Sequence, residues 1–386
     1  MTVTKVAPQD DFILIRDRLI ELFLLRWHVP LVAIWLGTSL IPLGGFALLA
    51  VITHSFAAYP RGIAFSKDYN LFNGLLLGVP ATCVFYCLFP KYLKDCLIQL
   101  YHNGVIGNAK KTQAENEGGT YDFRTFLCEA SNSLSSKVWP VASFVAAAIF
   151  MAIALPQHMR SKSWIVQNSV SLVAIEVFWF ITFAIGILLM LRIGAGIWWI
   201  NKAFRRFHIV VRPLYPDKVG GLRPLSQFSL QLGMIIFVYG LLVGSNQFTT
   251  HFVRTGVIGG MEWAPDIIIP WILYLLLAPV AFFAPLTAAH EGMRDAKERE
   301  LLVLAEQFEC QYRALCDELM GNAQDVNERT ERIAAIRRMY EVASSFPVWP
   351  FQFQKLAQFF VTVLLPVLLT VASSIVVAML RQWFGK

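Results

Sequence analysis

Seven stretches without a single Lys or Arg, at about 29–56, 69–90, 138–157, 164–191, 225–250, 267–289 and 356–380, dominate the chain. Each is long enough to cross roughly 30 Å of hydrocarbon, which takes about 20 helical residues. Each is continuously apolar rather than alternating, and in lipid every backbone polar group must be satisfied within the segment. Helices therefore fit, whereas barrel strands of about 10 residues do not. The expected fold is all-α: a polytopic membrane protein with about seven transmembrane helices. Composition agrees, because 56% of residues are of the AVILMFWYC class and 15% are charged, against about 45–50% and about 25% in soluble domains.

Orientation follows from charge. Of the 33 Lys and Arg residues, 26 fall in the N-terminal segment and in every second connection, 91–137, 192–223 and 290–355. Such a bias marks the cytosolic side, so the N-terminus is expected inside and the C-terminus outside. Trp27, Trp139, Trp198, Trp199, Trp263, Trp349 and Trp383 fall near the expected span ends, where indole prefers to sit. The first residues, MTVTKVAPQDDF, carry acidic charge and lack a short apolar core, so no cleavable signal peptide is expected. The membrane expected to hold the chain is a plasma membrane or a bacterial inner membrane, and the basic pI of about 9.1 reads as orientation beside anionic lipid rather than nucleic-acid binding.

Four regions follow. Residues 1–28 hold an amphipathic segment, DFILIRDRLIELFLLRW, with Phe12, Ile15, Leu19, Leu22 and Phe23 on one side and Arg16, Asp17, Arg18 and Glu21 on another, suited to a helix lying in the interface. Residues 29–289 carry spans one to six. Within the 91–137 connection a helix is expected to stop at Asn103-Gly104, and a second to run from Thr120 as cap to Lys137. Residues 290–347 read as a cytosolic helical hairpin between the last two spans, since apolar residues recur at helical spacing on both sides of GNAQD at 321–325. Residues 348–386 carry the last span and a short outer tail. The hairpin is net acidic and the 192–223 connection net basic, so the two are expected to dock, and the hairpin's apolar stripes to be covered by this chain, a second copy or a cytosolic protein partner at 290–345.

Candidate intramembrane polar residues are Glu176, Gln231, Tyr239 and Asn246. Glu176 is the one carboxylate well inside a span, where charge costs at least about 2.5 kcal/mol unless paired or wet. It fits a proton or cation site and equally a carboxyl hydrogen-bonded to a neighbouring helix. Gln231, Tyr239 and Asn246 share one face of the fifth span at spacings of eight and seven residues, fit either to line a hydrated path or to bond across helices. Prolines at 42, 80, 140, 270, 279, 285 and 366 interrupt the spans, as hinged channels and transporters require. The basic connection offers Lys202, Arg205, Arg206, Arg212, Lys218 and Arg223 as an inner-leaflet site for anionic lipid or phosphate, with Gly220 and Gly221 as an anion nest.

Enzymatic readings have no support in the string. There is no P-loop, H-E-x-x-H or G-x-S-x-G motif, the six cysteines show no C-x-x-C or zinc spacing, and no catalytic residue, metal or cofactor is expected. An oligomeric ion channel or pore-forming membrane protein, as a homo-oligomer in the bilayer, is the leading expectation. The rivals are a membrane-embedded sensor or scaffold and a small-solute permease.

Overall fold

A computed structural model describes residues 14–15, 17, 29–57, 63–109, 122–160, 163–210, 219–255, 265–319, 326–346, 348–349, 356–361 and 363–368. Its elements are α1 (Leu31–Ile52), α2 (Tyr69–Asn73), a π-turn (Gly74–Gly78), α3 (Val79–His102), β1 (Ile106–Ala109), α4 (Phe123–Leu134), α5 (Val138–Arg160), α6 (Ser169–Arg206), β2 (Phe207–Ile209), α7 (Arg223–Thr255), α8 (Pro265–Leu319) and α9 (Val326–Ser345). An apolar helix over Leu356–Leu368 follows. Among the described residues the fold is all-α apart from one two-stranded ladder, and six helices there are long and apolar enough to cross a membrane, which is compatible with a multi-pass membrane protein. The seventh expected stretch is represented by Leu356–Leu368, and 369–386 lie outside the described residues.

Helices α6 and α8 outrun the bilayer. At about 1.5 Å per residue, the 38 residues of α6 reach roughly 57 Å and the 55 residues of α8 roughly 82 Å. Here the structure differs from expectation. The sixth span and the first hairpin helix form one rod, because between Pro285 and Leu319 only Gly292 weakens the helix, and Gly292 is retained by close packing: a Cβ there would meet the Ile209 side chain at 2.2 Å. Helix α9 packs back along this rod. Its C-terminal end is held where Lys297 Nζ donates to the carbonyls of Ser344 (2.5 Å) and Phe346 (2.9 Å), and where the His290 ring stacks on Trp349 at 4.1 Å.

The connections sort to two ends of the bundle. At one end β1 pairs with β2 through Ile106 and Ile209, Asn103 Nδ2 donates to the Gly221 carbonyl, and Arg206 meets Glu129 of α4 at 3.3 Å. These are the connections expected inside. At the other end Ile63 bridges Ser163 and the Trp164 amide donates to the Ile63 carbonyl, joining two connections expected outside.

Local ends are set by short polar side chains. The expected stop at Asn103-Gly104 ends α3, with Gly104 at φ 70°. The cap of α4 is Asp122, whose carboxylate accepts from the Phe123 amide, rather than Thr120, which lies outside the described residues. Of the N-terminal segment, Leu14 and Ile15 are buried in the main core, and Asp17, expected on a solvated polar face, is instead turned inward onto Arg192. The 192–223 connection touches the long α8 rod where Ile209 packs against Gly292, and the ion pairs described for the two regions are local. Arg294, Arg313, Arg332 and Arg337 pair with Glu298, Glu309, Glu328 and Glu341 one turn away on their own helices, while Lys202 and Arg206 pair with Glu129.

Candidate functional site: an intramembrane cavity above a buried ion pair

Pro80 shapes the start of the second span. It has no N–H to give to the carbonyl four residues back, and the helix widens into the π-turn over Gly74–Gly78 just before it. Such single π-turns recur at functional sites. Both ends of the turn are glycine, but only Gly74 is sterically required. A Cβ at Gly74 would meet the Trp179 indole at 2.5 Å, and one at Gly78 would meet Leu242 at 3.4 Å.

Beside this turn lies a cavity of about 700 Å³, walled by α2, the π-turn, the start of α3, the N-terminal half of α6, and α7. One face of α6 supplies Glu176, Trp179, Phe183, Gly186 and Met190, at alternating steps of three and four residues, the spacing of a single helical stripe. Opposite stand Thr82 and Tyr239, whose hydroxyls are 3.0 Å apart. The wall is closed on the α7 side where Asn73 Nδ2 donates to Ser245 Oγ at 2.6 Å.

Asp68 marks the mouth at the N-terminal end of α6. One carboxylate oxygen caps α2 by accepting from the Leu71 amide (3.2 Å), the other accepts from the Trp164 indole N–H (3.2 Å), and burial pushes the carboxyl above its usual range. Trp164 itself is fully buried and packs edge-on against Phe65. This ties the mouth to the loops around Ile63 and Ser163.

The floor is charged. Arg192 follows the lining residue Leu191 on α6, and Tyr86 lies one turn beyond Thr82 on α3. Arg192 Nη2 is 2.7 Å from Asp17 Oδ2, Arg192 Nη1 donates to Tyr86 Oη at 2.7 Å, and Tyr86 Oη donates to the same Asp17 oxygen at 2.5 Å. The guanidinium is only 3% exposed and the carboxylate 14%, so charge and counter-charge are desolvated together. The N-terminal segment, α3 and α6 are thereby locked at one point beneath the cavity.

Of the intramembrane candidates read from the sequence, Glu176 and Tyr239 come together in this cavity. Gln231 is half-buried on α7, roughly 12 Å along the helix from Tyr239 at about 1.5 Å per residue, and does not reach the cavity wall. Asn246 lies on α7, and its side chain lies outside those described. Among the basic candidates, Lys202 sits over the Trp199 ring at 4.0 Å and 3.8 Å from Glu129, Arg206 shares Glu129, and Arg205 and Arg223 are exposed. Arg212 and Lys218 lie outside the described residues. Gly220 and Gly221 adopt φ of 70° and 91°, but the turn is buried against Asn103 and Val105 and does not present an open anion nest.

The floor triad is hidden in the sequence because the Lys- and Arg-free run of the fourth span ends at Leu191. The signal was present: RIGAGIWWI at 192–200 continues the apolar run past Arg192, so Arg192 lies within a helix interior rather than at its edge. No family model, curated protein or solved structure compared with the chain matches it, so the site must be read from its own chemistry.

Proposed function

We propose that this multi-pass membrane protein is a small-solute permease, with the cavity as its solute-binding site and the Arg192–Asp17–Tyr86 cluster as the barrier on its inner side. The carrying observation is a cavity of about 700 Å³ within a single chain, of the size and apolar character that takes a small organic ligand. It sits at membrane depth beside an irregular helix, where carriers build their sites. The layout that supports this reading has seven spans, with the N-terminus inside and the C-terminus outside. It rests on the Lys and Arg bias, and the host is a plasma or bacterial inner membrane. No catalytic role is assigned.

Gly186 offers a direct test. A Cβ there would stand 3.8 Å from Thr82 Cγ2 and 4.0 Å from Tyr239 Oη, ordinary contact distances, so Gly186→Leu fills the cavity without displacing backbone. In proteoliposomes, uptake of a mixed panel of organic cations, anions and neutral solutes, followed by mass spectrometry, should be saturable for at least one solute. Gly186→Leu should cut that uptake at least tenfold at unchanged thermal stability. Uptake that survives the filled cavity would overturn the reading.

A second reading, an oligomeric channel or a scaffold for a cytosolic partner, is favoured by one observation. Leu302, Val303 and Tyr312 of α8 and Met339 and Val342 of α9 are each more than half exposed, well beyond the membrane span. Apolar clusters of this kind mark protein contacts. If copies of this chain cover them, Val303→Glu with Met339→Glu should reduce the native mass in detergent to that of one chain, and any conductance should be lost with it.

A further inference from the structure

We propose that the cavity takes an uncharged, apolar molecule that enters sideways from the hydrocarbon of the bilayer, through the gap between α6 and α7. This rests on the cavity being the ligand site, as above, and not on transport. Two independent observations carry it: the engagement of the polar groups in the wall, and the side on which the wall is open.

The polar side chains of the wall have partners within the protein. Asp68 accepts from the Leu71 amide and the Trp164 indole. The Thr82 and Tyr239 hydroxyls bond each other, Thr82 also donates to the Gly78 carbonyl, and Thr182 donates to the Phe178 carbonyl. Neither Asn70 nor Glu176 is without a partner. What remains to face a ligand is the surface of Leu71, Ile175, Trp179, Phe183, Ile187 and Leu242. An anion would find no Lys or Arg among the described lining residues, and a cation would find carboxylates that are already partnered. Either would give up its water without a compensating bond, which is costly. An apolar body gives up nothing of the kind and gains from burial, and about 700 Å³ is the size of a small-molecule site.

The opening faces the same kind of molecule. Helix α3 packs closely against both α6 and α7, whereas α6 and α7 scarcely touch each other. Among the described lining residues none comes from α1, α5, α8 or α9, so no described side chain of these helices closes the gap. Met190, near the middle of α6, lines the cavity and is also 37% exposed. The cavity therefore reaches the surface of a spanning helix at a depth where that surface meets acyl chains rather than water. A lipid acyl chain and a free apolar solute share this chemistry, and the test separates them.

The test uses the full chain in phosphatidylcholine nanodiscs and reads bromine quenching of Trp179 emission, taken as the difference between the wild type and Trp179→Phe. The probes are para-bromoneopentylbenzene and its cationic isostere, para-bromobenzyltrimethylammonium. The neutral probe should quench saturably, at a mole fraction in the disc at least tenfold below that needed by the cation. Unbrominated neopentylbenzene should reverse the quenching by competition, and Gly186→Leu should raise the half-saturating mole fraction at least tenfold. In discs of lipid with brominated acyl chains, Trp179 quenching that neopentylbenzene relieves assigns the site to a lipid chain; quenching that it does not relieve assigns the site to a free solute. Quenching by the neutral probe that never saturates and ignores the competitor, full binding of it by Gly186→Leu, or half-saturation by the cation at an equal or lower mole fraction would each overturn the proposal. The competition arm needs no change at Gly186, so the test survives a variant that folds poorly. Saturable binding of the neutral probe without uptake in proteoliposomes would sink the permease reading and leave the apolar site standing. Saturable uptake of a charged solute with no neutral binding would do the reverse.

Discussion

Asp17→Ala is expected to destabilise the protein by about 3–5 kcal/mol, the cost of leaving one member of a buried ion pair without its counter-charge. The Arg192 guanidinium is 3% exposed and its Nη2 lies 2.7 Å from the carboxylate that would be removed. Tyr86 then keeps one bond to Arg192 but loses the acceptor for its own hydroxyl proton. A ring face cannot replace a carboxylate, although Tyr86 lies 5.1 Å from the guanidinium carbon. The comparison that isolates the charge is the double variant Asp17→Leu with Arg192→Met, in which apolar groups replace both ions. Such replacements are often neutral or stabilising, so the double variant should recover most of the loss. Both are read from the midpoint of thermal unfolding in micelles, followed by tryptophan fluorescence. If Asp17→Ala unfolds with the wild type, the ion pair does not hold the N-terminal segment to α3 and α6. The permease reading adds a second expected result from the same variant: with the floor loosened, proteoliposomes should leak the transported solute without saturation.

The bundle itself was legible because its cause is a property of continuous runs. Lys- and Arg-free stretches dictate helices, and 29–56 and 225–250 match Leu31–Ile52 and Arg223–Ser245 within five residues at both ends. The C-terminal ends of the second, fourth and sixth stretches were less legible, because an apolar helix can continue into polar sequence with no change in backbone pattern. That is why α6 runs on to Arg206 and α8 to Leu319, and why Arg192 read as a loop residue. Half of the candidate site was visible for the same reason. Glu176 stands out as a carboxylate in a greasy run, and Tyr239 as a polar position on a helix face. Their meeting with Thr82, Trp179 and Asp68 depends on which faces α3, α6 and α7 turn toward each other, and periodicity leaves that undetermined when a helix is apolar all round. The triad needed a contact between residues 17, 86 and 192 that no local pattern encodes.

Glycines show the same limit, and they supply the second large effect. Gly240→Val should destabilise the protein by about 3 kcal/mol, combining overpacking of a filled interface with loss of a buried hydrogen bond. In the sequence, Gly194 and Gly240 are alike: single glycines inside apolar helices. In the structure, a Cβ at Gly194 meets nothing within 4 Å, whereas one at Gly240 would lie 2.5 Å from two ring atoms of Tyr274 and 2.8 Å from its hydroxyl. The ring cannot swing aside cheaply. Tyr274 is 5% exposed, and its hydroxyl donates to the Val363 carbonyl at 2.9 Å, so moving it uncouples α7, α8 and the Leu356–Leu368 helix at once. Gly194→Ala should be neutral or stabilising by up to about 1 kcal/mol through helix propensity alone. Combining Gly240→Val with Tyr274→Leu, which removes the clashing ring, should return part of the lost stability; the hydroxyl bond to Val363 stays broken, so recovery will be incomplete. Thermal unfolding of the three variants and the wild type checks the ordering. Equal midpoints for Gly240→Val and Gly194→Ala would mean that α7 and α8 do not meet at Gly240, and the α7 wall of the cavity, two residues on at Leu242, would have to be placed differently.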